Sequence, residues 1–508
     1  MIFRFYARHP IVAAAEGNIP PFFHVDSAGR SCRKQKTTPL HPIKIASCFS
    51  LALAITGCTV GPNYQRPALD LPGGFRDLAP ALSSNTASME SIADAKWATV
   101  FEDEQLQGLI RTALQQNYDI RLAAERVLEA QAQVGLARSD QLPSAGADTE
   151  LQSQRQATSP IGPSGPPVTW NSGLVGATAA WELDFWGKYR RATEAAKANL
   201  VASEWGQKAV LSTLVTGVAS GYFRLRALDL QLEITQRTLK SRQESLRLTT
   251  LLADSGSTTL MDQRQAEQLV YTAAAAIPEL QQQIAQQENS LSILLGQNPG
   301  SIPRGKKLTA QSHPPSIPAG IPSQLVERRP DIRAAEQRLI AANAQIGVAK
   351  AAFFPEISLT GNAGFQSSAL TSLFTGPAGF WTLTGGAAQP LFTGGKLRSN
   401  VKISESQQRQ AVLTYKQTVQ NAFREVSDAL VAYQKTSEAR QEQEKLVNAA
   451  QDASRLSNIR YEAEATSYLE VLTNETNYYS AQLGLAQTDL NQLLALVQVY
   501  GALGGGWQ

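Results

Sequence analysis

The sequence predicts an α+β membrane protein built as two internal repeats. Each repeat supplies a long α-helical coiled-coil hairpin and two strands of a transmembrane β-barrel. Three observations predict this. A helix that ends in a strand occurs twice, 212 positions apart. Two proline-free stretches are too long for helices of an ordinary globular core. Four short segments alternate apolar with polar residues, too few strands for one chain to close.

The repeated helix begins at Arg329-Pro330-Asp331-Ile332-Arg333 and ends at Phe353-Phe354-Pro355-Glu356, because proline cannot continue a helix. A period-2 strand follows, with Ile357, Leu359 and Phe365 on one side and Ser358, Thr360 and Asn362 on the other. In the first copy Asp119-Ile120-Arg121, Gly135 and Pro143 match Asp331-Ile332-Arg333, Gly347 and Pro355. Its helix is expected from Asp103 to just before Pro143. Its strand alternates Asp148, Glu150, Gln152 and Gln154 with Ala147, Thr149, Leu151 and Ser153.

Second strands are expected at Leu174–Asp184 and Trp381–Phe392. Gly187 to Ala253 then reads as one helix, with Leu211, Val218, Leu225, Leu232, Leu239 and Leu246 seven apart, the spacing of a coiled-coil seam. A turn at Asp254-Ser255-Gly256-Ser257 returns the chain to Leu295, with a kink expected at Pro278. The second copy repeats this to Ala463, turns at Glu464-Ala465-Thr466 and ends its last helix at Tyr500. The expected divisions are a leader (1–57), an extended arm (58–102), repeat 1 (103–298), a proline-rich linker (299–322) and repeat 2 (323–508).

Of 508 residues 18% are charged, and the formal charge is +3. Residues 1–57 hold seven Lys/Arg and two Asp/Glu, so the remainder is −2, against a nucleic-acid footprint. Lys44 to Cys58 has a basic flank, a short apolar core and small residues before the cut, as in a secretory signal. The leader is long for such a signal, and residues 1–40 read as an upstream misread start. Ile55-Thr56-Gly57-Cys58 resembles a bacterial lipobox, which implies that Cys58 becomes the first residue and takes lipid; a chance apolar stretch with a buried cysteine is the alternative. After that cut Cys58 and His313 are the last of their kinds, so no metal cluster of Cys and His and no cofactor beyond the lipid is expected. No G-x-S-x-G, H-E-x-x-H or P-loop occurs, which argues against an enzyme.

About ten residues is the length of a tilted membrane strand, and a strand edge left open in lipid strands its backbone groups. About eight strands is the smallest membrane barrel, so several chains must share one. Two small soluble hairpins would fit the alternation equally well; Thr59 is not the aspartate that retains bacterial lipoproteins at the inner membrane, so the lipobox resemblance implies outer-membrane addressing at Cys58, which favours the barrel. Asp148, Glu150 and Asn362 then face water, and Ile357, Leu359 and Phe365 face lipid.

From residue 55 onward the chain resembles the TolC-like outer membrane factors of tripartite efflux systems, in their NodT-type lipoprotein branch. The motifs are Cys58-Thr59-Val60-Gly61-Pro62-Asn63-Tyr64, Trp181-Glu182-Leu183-Asp184-Phe185-Trp186-Gly187, Arg328 to Glu336, Phe353-Phe354-Pro355 and Ala502 to Trp507. The resemblance implies a homotrimer whose three chains complete a twelve-stranded barrel in the outer membrane of a Gram-negative bacterium, continued by a helical tunnel. It implies a periplasmic adaptor and an inner-membrane transporter of the resistance–nodulation–division class as partners. The function implied is a passive exit duct gated at the periplasmic helix tips. Alternatives are an exit duct for secretion or lipo-oligosaccharide export, or a non-conducting envelope lipoprotein.

The same resemblance places the adaptor-contacting tips at Ser255, Gly256 and Ser257 and at Glu464, Ala465 and Thr466. Tyr461 matches a family tyrosine that holds the closed state, and Asp262 a recurrent aspartate beside the first tip. Thr473 and Thr476 stand where the family has an acidic and a basic residue, so Glu470 and Glu475 are the nearby candidates. A carboxylate ring there could bind cations or hold the gate through Arg264.

Overall fold

A computed structural model describes residues 59–75, 91–155, 169–314, 317, 318, 320, 322–463 and 465–507. The leader, Cys58 and Glu464 lie outside them. The first half runs α1 (Glu104–Gln116), α2 (Tyr118–Ser139), β1 (Ser144–Arg155), β2 (Thr169–Leu183), α3 (Lys188–Asp254) and α4 (Leu260–Leu294). The second runs α5 (Pro322–Arg328), α6 (Pro330–Ala351), β3 (Glu356–Ser367), β4 (Gly379–Ala388), α7 (Lys396–Glu462) and α8 (Tyr468–Ala502). α3 and α7 have 67 residues each, α4 and α8 have 35, and α2 and α6 have 22. Matching lengths make the halves structural copies. A 67-residue helix is about 100 Å long.

The helix expected from Asp103 to Pro143 is two helices, broken at Asn117. Asn117 is extended, and its Oδ1 accepts from the backbone N–H groups of Asp119 (2.7 Å) and Ile120 (3.2 Å), capping α2. Its Nδ2 donates to Leu294 O at 3.0 Å, tying the break to the end of α4. The repeat-related position is Arg329, where Pro330 forces the same extended backbone. Two different chemistries make one bend.

β4 ends at Ala388, short of the expected Phe392, and Pro390 lies in the segment that follows. β1 and β2 begin earlier than expected, at Ser144 and Thr169. Helix α4 continues through Pro278.

The four strands form one antiparallel sheet in chain order. Its register sorts the side chains. Val175 lies opposite Phe365, Trp181 opposite Leu359, and Ala363 opposite Trp381, so these share a face with Leu151. The other face pairs Thr178 with Asn362 and Asn362 with Thr382, and carries Asp148 and Glu150. Trp381 is 79% exposed and Leu151 67%, so among the described residues the apolar face is open around them, while at one end Phe374 packs against Phe365.

Two apolar cores hold the helices together. One packs Ile110, Val215, Val218, Tyr222 and Leu291; the other packs Ile332, Tyr415, Val426 and Leu496. Beside the first, the buried carboxylate of Asp103 accepts from the N–H groups of Gln105 and Lys306, from Tyr222 and from Gln311, at 2.8–3.0 Å. Burial pushes its carboxyl up, but these donors outweigh it and hold the group below the usual range. Towards the tips the seam of α3 differs from expectation. Leu232, Leu239 and Leu246 are half-buried, and the buried line is Thr235, Arg242 and Thr249. It has the same seven-residue spacing, three positions further on.

Replacing Asn117 with Ala should cost about 1 kcal/mol through the lost cap, read as a lower thermal midpoint by circular dichroism. Asn117→Asp keeps the cap acceptor but loses the donor to Leu294 O and turns a carboxylate towards that carbonyl, so it should recover little of the loss.

Candidate functional site

The tips are two helix turns related by the repeat. At the first, Gly256 is left-handed (φ 79°), and the N–H groups of Gly256 and Ser257 donate to Ala253 O and Leu252 O at 3.0 and 2.8 Å. Thr259 and Asp262 then start α4 with a reciprocal capping box. Asp262 Oδ2 accepts from the hydroxyls of Thr258 and Thr259, both at 2.7 Å. At the second tip Ala465 N–H donates to Arg460 O at 2.8 Å. Thr466 donates to Glu470 Oε2, and Arg460 to Glu470 Oε1 at 2.9 Å.

Thr466 and Glu470 therefore repeat Thr258 and Asp262 at an offset of 208. Both acids brace the turn in front of their own helix. Arg264 does not reach Asp262; it pairs with Glu267 at 2.6 Å, one turn along α4. The ring expected there takes each acid once from each of three copies, and within one chain Asp262 and Glu470 each bond to groups of their own tip.

Tyr461 and Glu475 are placed differently. The ring of Tyr461 lies 5.4 Å from that of Tyr468, in a small cluster with Ala266, Val471 and Leu246 that joins the two tips. The Tyr461 hydroxyl is buried with no hydrogen-bond partner. Burial, then the nearby charge of Glu475, pushes the Tyr468 phenol up to about 12. Glu475 accepts from Ser245 at 3.3 Å, and burial holds its carboxyl above the ordinary range. Sequence reasoning missed Arg242, Ser245, Asn458, Tyr468 and Tyr479. The signal available was the polar heptad Thr235–Arg242–Thr249, hidden beside the more obvious leucine line.

The turn residues that start the body are also set out. Val60 N–H donates to Trp186 O at 3.1 Å, and Thr59 packs against Gly187, where a Cβ would lie 2.8 Å from Thr59 Cγ2. Trp186 stacks on Phe354 with ring centres 4.7 Å apart. Thr59 thus sits at the junction of strand and helix, beside an aromatic pair.

Asp262→Ala should fray the first turn of α4 by about 1 kcal/mol, seen as faster amide exchange there. Burial opposes ionisation of Asp262, but the Thr258 and Thr259 donors prevail and hold its carboxyl below the usual range. The support is therefore present above the ordinary carboxylate range and lost as pH falls through the lowered value. Exchange protection that is insensitive to acid would contradict this role.

Comparison with known proteins agrees with this architecture. The family model described as "Outer membrane efflux protein" matches residues 109–297 and 321–505. The cation efflux system protein CusC of Escherichia coli O6:H1 is 36% identical over 463 residues, covering 91% of this chain and 98% of that protein. The solvent efflux pump outer membrane protein SrpC of Pseudomonas putida is 36% identical over 459 residues, covering 90% and 97%. The crystal structure of the open state of the Neisseria gonorrhoeae MtrE outer membrane channel superposes with a TM-score of 0.79 at 32% identity, covering 89% of this chain and 99% of that one. The chain belongs to the outer membrane efflux protein family.

Proposed function

We propose that three copies of this outer membrane efflux protein form one exit duct, a barrel continued by a helical tunnel, through which an inner-membrane transporter discharges. One observation carries the reading: a four-stranded sheet, apolar on one face and polar on the other, stands on helices of 67 residues with both its edges open. In lipid such edges must be paired, so neighbouring copies supply the missing strands.

The helices support the same assembly. α6 is seated between α3 and α7, whereas its repeat mate α2 packs against α3 alone among the long helices. Leu122, Leu128 and Leu136 of α2 are exposed, while the matching Ala334 is buried and Ile340 and Val348 are half-buried. A second copy's α7 fits that open face. The position of Thr59 at the aromatic junction supports lipid on Cys58, since an acyl chain there enters the membrane at the base of the sheet.

The duct performs no chemistry of its own in this reading. A periplasmic adaptor engages the tips at 255–257 and 464–466 and binds the open packing better than the closed one. The transporter, of the resistance–nodulation–division class, supplies energy and most of the selectivity. Relatives of equal identity are named for cations and for solvents, which supports a duct that tolerates varied cargo.

The lipidated protein should conduct ions in planar bilayers, and Tyr461→Ala, which unpacks the cluster joining the tips, should raise the conductance. A wild type that passes no current would overturn the duct. Cys58→Ser should abolish incorporation of labelled palmitate; a labelled variant would move the anchor elsewhere.

A further inference from the structure

Near the tips the four long helices meet around charge. Arg242 of α3 is only 3% exposed. Its Nη1 donates to Leu269 O of α4 at 2.9 Å, and its guanidinium carbon lies 5.2 Å from the ring centre of Tyr479 on α8. Its Nε is buried with no hydrogen-bond partner. Opposite stands Glu475 of α8, whose Oε1 accepts from Ser245 of α3 and whose Oε2 is also buried and unpartnered. The two charges sense each other but form no ion pair. From α7, Asn458 lies beside the Glu475 carboxyl, and Tyr461 stands behind Tyr468. The titratable groups around the pair are thus Tyr461 from α7, and Tyr468 and Tyr479 from α8. α4 contributes the Leu269 carbonyl, not a charge.

We propose that Glu475, set against Arg242, is a proton-operated latch of the helical tip: as the neutral acid it stays packed among the four helices, and as the carboxylate it loosens them. The inference rests on the duct reading and adds a control that acts without an adaptor. A buried carboxylate without an ion-pair partner is costly, and Arg242 at its present separation offsets only part of that cost. Removing one partner of such a pair, or wetting both, changes the balance between packings.

The sign follows from burial. Burial raises the Glu475 carboxyl, and Asn458, Arg242 and Ser245 lower it by less. The packed tip therefore holds the proton more tightly than a hydrated one. Packing is favoured below the ordinary carboxylate range and weakens as pH rises through the raised value. Acid closes the latch, and neutral conditions leave it poised to open.

The test uses full-length lipidated protein in planar bilayers, with conductance followed between about pH 5 and pH 8. Wild type should open more as pH rises. Glu475→Gln, a neutral isostere, should lower open occupancy about tenfold at neutral pH and flatten the profile. Arg242→Met leaves the carboxyl but removes its offsetting charge, and should extend the pH-dependent range upward. A Glu475→Gln variant with the wild-type profile, or an Arg242→Met variant with an unmoved one, overturns the latch while leaving the duct intact. A silent wild type would instead remove the duct itself.

Discussion

The unpaired edges of β1 and β4 are the constraint on which the rest of the structure depends. Among the described residues β1 bonds only to β2 and β4 only to β3, so each presents a row of backbone donors and acceptors to whatever lies beside it. In water such an edge is tolerable; in hydrocarbon each unpaired group costs several kcal/mol. In the proposed assembly, the face sorting, the uncovered tryptophan and leucine side chains and the open side of α2 all follow from a sheet completed by its neighbours. Barrel and tunnel are then one requirement, because each pair of strands is joined directly to the long helices.

The junction between strand and helix must transmit that geometry without slack. Gly187 and Gly395 start α3 and α7 in the left-handed region, with φ of 78° and 87°. At the first junction Arg191 donates to the Val60 and Gly61 carbonyls and to Asn63. Further along the arm, Arg66 and Tyr64 close on Glu336, which is buried under them. The arm thus straps α3 to α6, that is, one repeat to the other. Gly347 is required beneath it, since a Cβ there would lie 2.8 Å from Val60 O. A Cβ at its repeat mate Gly135 would meet nothing within 4 Å among the described residues, as the proposed assembly requires of a side turned towards another copy.

Much of this was legible from the residues. The offset of 212, the prolines at 143 and 355 and the absence of proline along α3 and α7 place the helices, because each has a local steric cause. The strands were found by alternation but not bounded by it, since edge residues of a sheet have no local stop signal in Ser144 or Thr169. The break at Asn117 was missed because a capping asparagine looks like any polar residue within a helix until Leu294 O is brought to it. The gate was the least legible part. Asp262 and Glu470 were found as acids and turned out to be braces of their own turns. Arg242 was passed over because leucines at 232, 239 and 246 satisfy a heptad by themselves, and the true seam is settled only by which side the partner helices approach.

That seam sets the tip end of the molecule apart from its upper body. Around Asp103 and Tyr222 a buried carboxylate has a donor for every direction, and it is flanked by the larger of the two apolar cores. The Asp103 carboxylate and the Tyr222 hydroxyl are both satisfied there, so separating these helices would strand a charge and expose apolar surface together. Near the tips the apolar cluster has only three fully buried residues, Ala266, Tyr468 and Val471. Arg242, Glu475 and Tyr461 each keep a buried atom without a partner. Separation at that end gives up little apolar burial and hydrates groups that packing leaves unsatisfied. The helices are continuous between the two regions, so in the proposed gating the upper core would serve as the hinge. The polar seam below it is where two packings can lie close in free energy, and a small bias there is enough to choose between them.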